Sequence, residues 1–186
     1  MLDLEKQIFG KTGHQTIASQ SAGQTLDQLR RDVYDSHRHR AFALAFYMTG
    51  NEVEAEQILI RTFTRAFSSP APNGAVVDAS LFDELRSAGV LPACEPQEPA
   101  AALPVVDGMS VSSGGIRRTD LEEALQELEP NLRITFLLRD VEGYAPEAIA
   151  RLMNCTEAEA KRSVIRARLA LRLAVAEIQR KRLEAA

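Results

Sequence analysis

Between Tyr144 and Arg172 the chain reads YAPEAIARLMNCTEAEAKRSVIRARLALR, and this stretch constrains the fold more than any other. Pro146 suits the first position of a helix, where its missing N–H has no intrahelical partner to lose. Ala148, Ile149, Leu152 and Met153 recur at helical spacing and define one apolar face. Asn154 and Cys155 follow as a turn. Thr156 is a good N-cap, and Glu159 three residues later completes a capping box. Ala160, Val164, Ala167, Leu171 and Ala174 then form one stripe of a second helix, with Lys161, Arg162, Arg166, Arg168 and Arg172 over most of its remaining surface. A short helix, a tight turn and a longer basic helix make a helix-turn-helix, the motif that seats its second helix in the DNA major groove.

Charge placement agrees with that motif. The whole chain carries a net −4. From Lys161 to Arg182 there are eight basic residues and one acid, Glu177, a net +7. Such asymmetry is the footprint expected of a surface that meets a polyanion. A solvated helix face with cations near its C-terminal end would carry the same charges.

The rest of the chain narrows the class. Apolar content of 45% supports packed cores, while 5% aromatic content and the absence of Trp favour small helical cores over a β-sandwich. No segment alternates as a strand does, so an all-α fold is expected. No apolar run approaches the ~18 to 20 residues that span a bilayer. The N-terminal MLDLEKQIFGKTGHQTIASQ lacks a secretory pattern, which points to the cytoplasm. Cys94 and Cys155 are far apart with no CxxC, and His37 and His39 point to different sides of a helix. No metal or other cofactor is expected, and no residue set is arranged as a catalytic centre.

The chain divides by composition. Residues 1–24 are polar and aperiodic, as a flexible N-terminal arm would be. Thr25 opens a capping box with Gln28, and a helix follows to about Thr49 with Leu29, Val33, Ala41, Leu44, Ala45 and Met48 facing inward. Gly50 stops it. Asn51 caps a second helix, Glu52 to Phe67, with Val53, Ile58, Leu59, Phe63, Ala66 and Phe67 as its apolar positions. Together they form an antiparallel hairpin over 25–67. Residues 68–119 hold six of the eight prolines with Gly and Ser clusters, the composition of a linker. One short helix is expected inside it, capped by Asp78 and ending near Gly89. Residues 120–186 form a second helical domain. Asp120 caps its first helix, and Pro130 starts another that ends at Gly143.

This arrangement resembles an extracytoplasmic-function (group 4) sigma factor of the sigma-70 family. The resemblance is carried by Leu125 to Pro130, Arg133, Glu142-Gly143-Tyr144, Glu147-Ala148-Ile149-Ala150 and Arg166-Ala167-Arg168. It implies that the C-terminal domain is sigma region 4, which reads the −35 promoter element and contacts the flap of the polymerase β subunit. By the same likeness residues 51–67 are similar to the region 2 helix that docks on the polymerase β′ clamp. Ala55, Glu56, Thr62, Phe63, Arg65 and Ala66 match there, while Gln57, Ile60 and Arg61 replace Asp, Gln and Glu. The family's next segment, which melts and reads the −10 element, carries a Trp-Leu pair. SSPAPNGAVVDASLFDELRSAG stands in its place here, with Asp83 and Glu84 on a helix from Leu81 to Arg86.

The resemblance implies promoter DNA and core RNA polymerase as partners, and an anti-sigma factor as a further one. The DNA-contacting candidates are Thr156, Glu157, Glu159, Lys161, Arg162, Ser163, Arg166 and Arg168. The polymerase-contacting candidates are Glu56, Gln57, Arg61 and Phe63. Glu159 either accepts from a cytosine amino group or completes the capping box, and the second follows directly from the spacing. Two other functions fit the residues: a degenerate sigma paralogue that regulates without melting promoters, and an adaptor whose basic helix binds an acidic partner protein.

Overall fold

The structure is a computed structural model that describes residues 16–92 and 116–185, with side chains from residue 25 onward. Among these residues all regular structure is helical. Helix α1 runs Thr16–Thr49, α2 Glu52–Ala66, α3 Gly74–Ser87, α4 Arg118–Glu127, α5 Pro130–Phe136, α6 Pro146–Met153 and α7 Glu157–Glu184. The remainder of the 1–24 arm and of the 68–119 linker lies outside the described residues, as does Cys94.

Local signals set most of these boundaries. Gly50, at φ +67°, ends α1 in the left-handed conformation, and Asn51 caps α2 by accepting from the Val53 and Glu54 N–H groups. Helix α1 begins at Thr16 rather than at Thr25. No proline separates the two positions, and extending a formed helix costs far less than nucleating one. Helix α3 is capped by Asn73, whose Oδ1 accepts from Val76 N–H at 3.1 Å, and not by Asp78. In α4, Asp120 sits one turn inside the helix. Its carboxylate accepts from the Arg117 N–H at 3.0 Å and pairs with Arg182 of α7.

The inward faces agree closely with the periodicity. Val33, Ala41, Leu44, Ala45 and Met48 of α1 are buried, as are Ala55, Ile58, Thr62, Phe63 and Ala66 of α2. Leu29 and Val53 differ, standing 41% and 62% exposed at the margins of their faces. Helix α3 buries Val77, Ser80, Leu81, Phe82 and Leu85 against the α1–α2 hairpin. This apolar cluster continues into Ile134, Leu137 and Leu138, then Ile149, Ala150 and Met153 of α6, and Ala160 and Val164 of α7. A second cluster joins Ala124, Leu125 and Leu128 to Leu132 and to Ala167, Leu171, Val175 and Ile178 of α7.

Arg133 ties the two clusters together. It is buried, and its Nη1 donates to the carbonyls of Tyr47 and Met48 at 3.3 and 3.2 Å, at the end of α1. The same nitrogen reaches Gln126 Oε1 at 3.0 Å, and Nη2 donates to the carbonyls of Gln126 and Leu128 at the end of α4. Burial pulls its pKa below the ordinary guanidinium value. Helix C-termini leave carbonyls without intrahelical donors, and their dipole ends favour a cation.

Replacing Arg133 with Met strips donors from two buried helix ends, each left carbonyl costing about 1–3 kcal/mol. Urea denaturation of R133M should therefore show a loss of about 3 kcal/mol. A loss below about 0.5 kcal/mol, within the range of ordinary surface substitutions, would remove Arg133 from this role.

Candidate DNA interface

The segment after α5 sets the entry angle of the helix-turn-helix. Leu137–Val141 widens into a π-turn, with the Glu142 N–H donating back to Leu137 O at 2.9 Å. Gly143, at φ +74°, then reverses the chain, and the Tyr144 N–H donates to Leu138 O at 2.8 Å. Pro146 takes the first turn of α6 as the sequence predicts. Asn154 closes that helix in the left-handed conformation, φ 55° and ψ 47°, which asparagine adopts at lower cost than most residues. The Cys155 N–H donates to Ala150 O at 2.9 Å, the long bond of a Schellman ending.

Helix α7 starts at once. Thr156 Oγ1 accepts from the Glu159 N–H at 3.2 Å, and Glu159 Oε2 accepts from the Thr156 N–H at 2.7 Å. These bonds hold the Glu159 carboxyl below the ordinary carboxylate range, the backbone N–H of Thr156 first. Glu159 is thus engaged in the capping box. A two-residue turn clamped from both sides fixes α7 relative to α6, which a reading helix requires.

The candidate DNA residues share the first turns of α7. Thr156, Glu157, Lys161 and Arg162 are exposed, while Glu159, Ser163 and Arg166 are half-buried. Ser163 and Glu159 border a small hollow of about 50 Å³ with Cys155 and with Asn131 and Thr135 of α5. Arg168 is exposed but engaged: its Nε lies 3.1 Å from both oxygens of Asp140, and its Nη2 2.6 Å from Oδ1. The π-turn carries Asp140 to that position.

Pairing within the fold answers much of the basic excess. Lys161 meets Glu157 at 2.5 Å, Arg180 meets Glu177 and Glu184 at 2.6 Å, Lys181 lies 3.8 Å from Glu177, and Arg182 pairs with Asp120. Among the described residues no salt bridge or hydrogen bond engages Arg162 or Arg172. Ile165, 53% exposed, stands on the same helix between them. Its exposure leaves no mark in the sequence, because it lies off the inward stripe with no charge to flag it.

On α2, Glu56, Gln57 and Arg61 face solvent together with Val53 and Ile60. Phe63 does not join them. It is buried, with its ring edge-on to Tyr34 at 4.8 Å and beside Phe67 at 5.5 Å. Its place is the α1–α2 interface.

Residues 118–171 match the family model for sigma-70, region 4. The matched stretch runs from α4 through the helix-turn-helix into the first half of α7. No curated protein matches the chain in sequence. Among solved structures it is similar to the sigma factor RpoE of Bartonella quintana, determined in complex with the anti-sigma factor NepR. Identity is 20%, the TM-score is 0.57, and the likeness covers 78% of this chain and 95% of that one. At this identity the likeness concerns the fold, and its coverage extends beyond residues 118–171. The family match agrees with the sigma-70 resemblance read from the residues, over 118–171. Among the described residues no helix is long and apolar enough to cross a membrane.

The capping box supplies a direct test. Thr156→Ala should cost about 1 kcal/mol in thermal or urea unfolding. Because the Glu159 pKa is depressed in the folded state, its contribution is present above the unfolded value of about 4.3 and is lost as pH falls below it. Glu159→Gln should flatten that acid limb of the melting curve without moving the neutral-pH melting point far, since Gln also completes the box. An unchanged acid limb would show that Glu159 carries no linked stability.

Proposed function

We propose that this chain is a sigma-factor-like transcription initiation protein of the extracytoplasmic-function type, binding promoter DNA through α6 and α7 and recruiting core RNA polymerase. The observation that carries this reading is the exposed start of α7, clamped to α6 by the Asn154 turn and the Thr156–Glu159 box inside the region 4 match. In this reading the chain acts without catalysis, in the cytoplasm. Residues 25–67 serve as the region 2-like hairpin, 68–119 as a linker bearing α3, and 120–186 as the −35-reading domain.

The roles divide by pairing state. Arg162 is the principal cation for a base edge or phosphate, with Lys161 available once Glu157 releases it. Thr156, Glu157, Ser163 and Arg166 border the same approach. Arg168 orders the π-turn through Asp140. Glu56, Gln57 and Arg61 form the polymerase-facing side of α2, supported from behind by Phe63. An anti-sigma factor is the third partner, in keeping with the matched RpoE, itself held by one.

One observation favours a second reading, a sigma paralogue that binds DNA or regulators without melting promoters. Helix α3 lies where the family's strand-opening segment belongs. Its apolar face is buried, and Asp83 and Glu84 are engaged by Arg65 at 2.8 and 3.2 Å. An acidic helix is poorly suited to a DNA backbone.

Three measurements separate these roles. Arg162→Ala should weaken binding of a −35 duplex about tenfold or more, within the 1–3 kcal/mol expected of a base-reading arginine. If Arg162 instead meets a phosphate, the log–log salt slope should fall by about 0.9. Arg168→Ala should lower the melting temperature with little effect on DNA affinity, and the reverse pattern would reassign the two arginines. Permanganate footprinting with core polymerase reports melting, and unreactive thymines at a bound promoter would establish the second reading over the first.

A further inference from the structure

The hollow of about 50 Å³ lies where the start of α5 meets the end of α6 and the start of α7. Leu132, Ile149, Met153 and Ala160 give it a buried apolar floor. Its polar lining is one-sided. Glu129, the residue that precedes α5, and Glu159 of the α7 capping box both border it. So does Asn131, whose Oδ1 is buried and accepts no hydrogen bond among the described residues. The Thr135 hydroxyl, also in the lining, is already committed and donates to the Asn131 backbone carbonyl at 2.7 Å. No lysine, arginine or histidine among the described residues lines the hollow. Arg162 acts on the Glu159 charge but stays outside the lining.

These features define what fits. An apolar floor beneath a rim of acceptors suits a group with a short apolar stem that donates from its end. Two carboxylates favour a charged donor over a neutral one, because charge-assisted hydrogen bonds are the stronger kind. A primary ammonium has three donors and no acceptor, which matches a lining short of donors. Size selects this cation over a guanidinium. A water's share of liquid volume is about 30 Å³, so the hollow holds roughly two heavy atoms, an ammonium nitrogen and its methylene, and the planar guanidinium is about twice as large. An N–H that meets Asn131 Oδ1 also removes the cost of leaving that acceptor buried and unmet.

We propose that this hollow binds a primary ammonium group through Glu129, Asn131 and Glu159, the group being the end of a free aliphatic amine or the tip of a lysine on a bound protein. The site adjoins the exposed start of α7. A seated ammonium therefore offsets the charge of Glu129 and Glu159 beside that surface. Its consequence for DNA rests on the sigma-like reading: with those two carboxylates neutralised, the start of α7 repels phosphate less, and duplex affinity rises.

The test is an NMR titration of the full nitrogen-15-labelled chain at constant ionic strength. The backbone N–H signals of Ala160 and Ser163 should shift saturably with methylammonium. They should not do so with tetramethylammonium, which has the same charge but no N–H to donate. Glu129→Gln should weaken binding about tenfold, the loss of one charge-assisted hydrogen bond. Its fold should hold, because the Glu129 side chain makes no cap bond. Asn131→Leu should abolish binding, and its melting temperature should stay level or rise, because a buried unmet acceptor is gone. Shifts that never saturate, or equal shifts from the two cations, would overturn the site, since the hollow would then hold only water. Parental affinity in both variants would overturn it too. Putrescine and a blocked lysine are titrated alongside: tighter putrescine binding identifies a free amine, and tighter lysine binding identifies a protein side chain. Affinity for a −35 duplex is then compared, with and without putrescine, between the parental chain and Glu129→Gln. A gain confined to the parental chain supports the link to DNA, and an equal change in both removes it. Failure of the parental chain to bind the duplex at all would sink the promoter reading while leaving the amine titration standing.

Discussion

A single buried guanidinium sets the relation between the parts of this molecule. Arg133 has no carboxylate partner among the described residues. It is solvated instead by the terminal carbonyls of α1 and α4 and by the Gln126 amide. That choice of partners has a geometric consequence. A carboxylate could follow the guanidinium through many rotamers, whereas carbonyls at two helix ends fix where those helices stop relative to α5. A lysine ammonium lacks the planar fork needed to serve both ends together. Because α5 leads directly into the π-turn and the helix-turn-helix, the position of α7 inherits its reference from Arg133.

From that reference the chain applies the same device repeatedly. A helix end leaves unsatisfied groups, and a side chain, local or distant, supplies their partners. Arg86 serves α6, Asn51 and Asn73 serve α2 and α3, and the Thr156–Glu159 pair serves α7. Short helices are marginal by themselves, so their ends must be held if they are to keep a fixed orientation. Helix α6, eight residues long, is held at its C-terminal end by Asn154, Cys155 and Arg86 together. That concentration of constraints lies at the joint where α6 presents α7.

The parts legible in the sequence are those whose cause is local. The box from Thr156 to Glu159 and the cap at Asn51 span three residues or fewer, and both are present in the structure. Helical spacing identifies the inward faces for the same reason. Asp78 has the local pattern of a cap, a carboxylate before an apolar pair, yet it is not one. Asn73, just after Pro72, occupies that position, and this leaves Asp78 one turn inside the helix for a partner 66 residues away. The Asp140–Arg168 pair spans 28 residues and depends on a π-turn, for which the sequence carries no periodic signal. Pairing with acids beyond the window, near in sequence and far, also explains why the +7 window overstates the surface charge. Several of the acids that answer it, Asp120, Asp140, Glu157 and Glu184, lie outside the window counted.

That internal neutralisation bears on how such a chain can recognise DNA. Sequence-independent affinity rises with the number of phosphates neutralised. A helix whose cations are mostly engaged by acids of the same fold gives up part of that affinity, because each engaged cation must first be released. What remains is a small exposed set around Arg162 and Ile165, placed by a rigid turn. In the proposed reading, affinity then depends more on the fit of those few side chains to base edges and less on bulk charge. A protein built this way gains selectivity from position, and position here traces back through the turn, the π-turn and α5 to the carbonyls around Arg133.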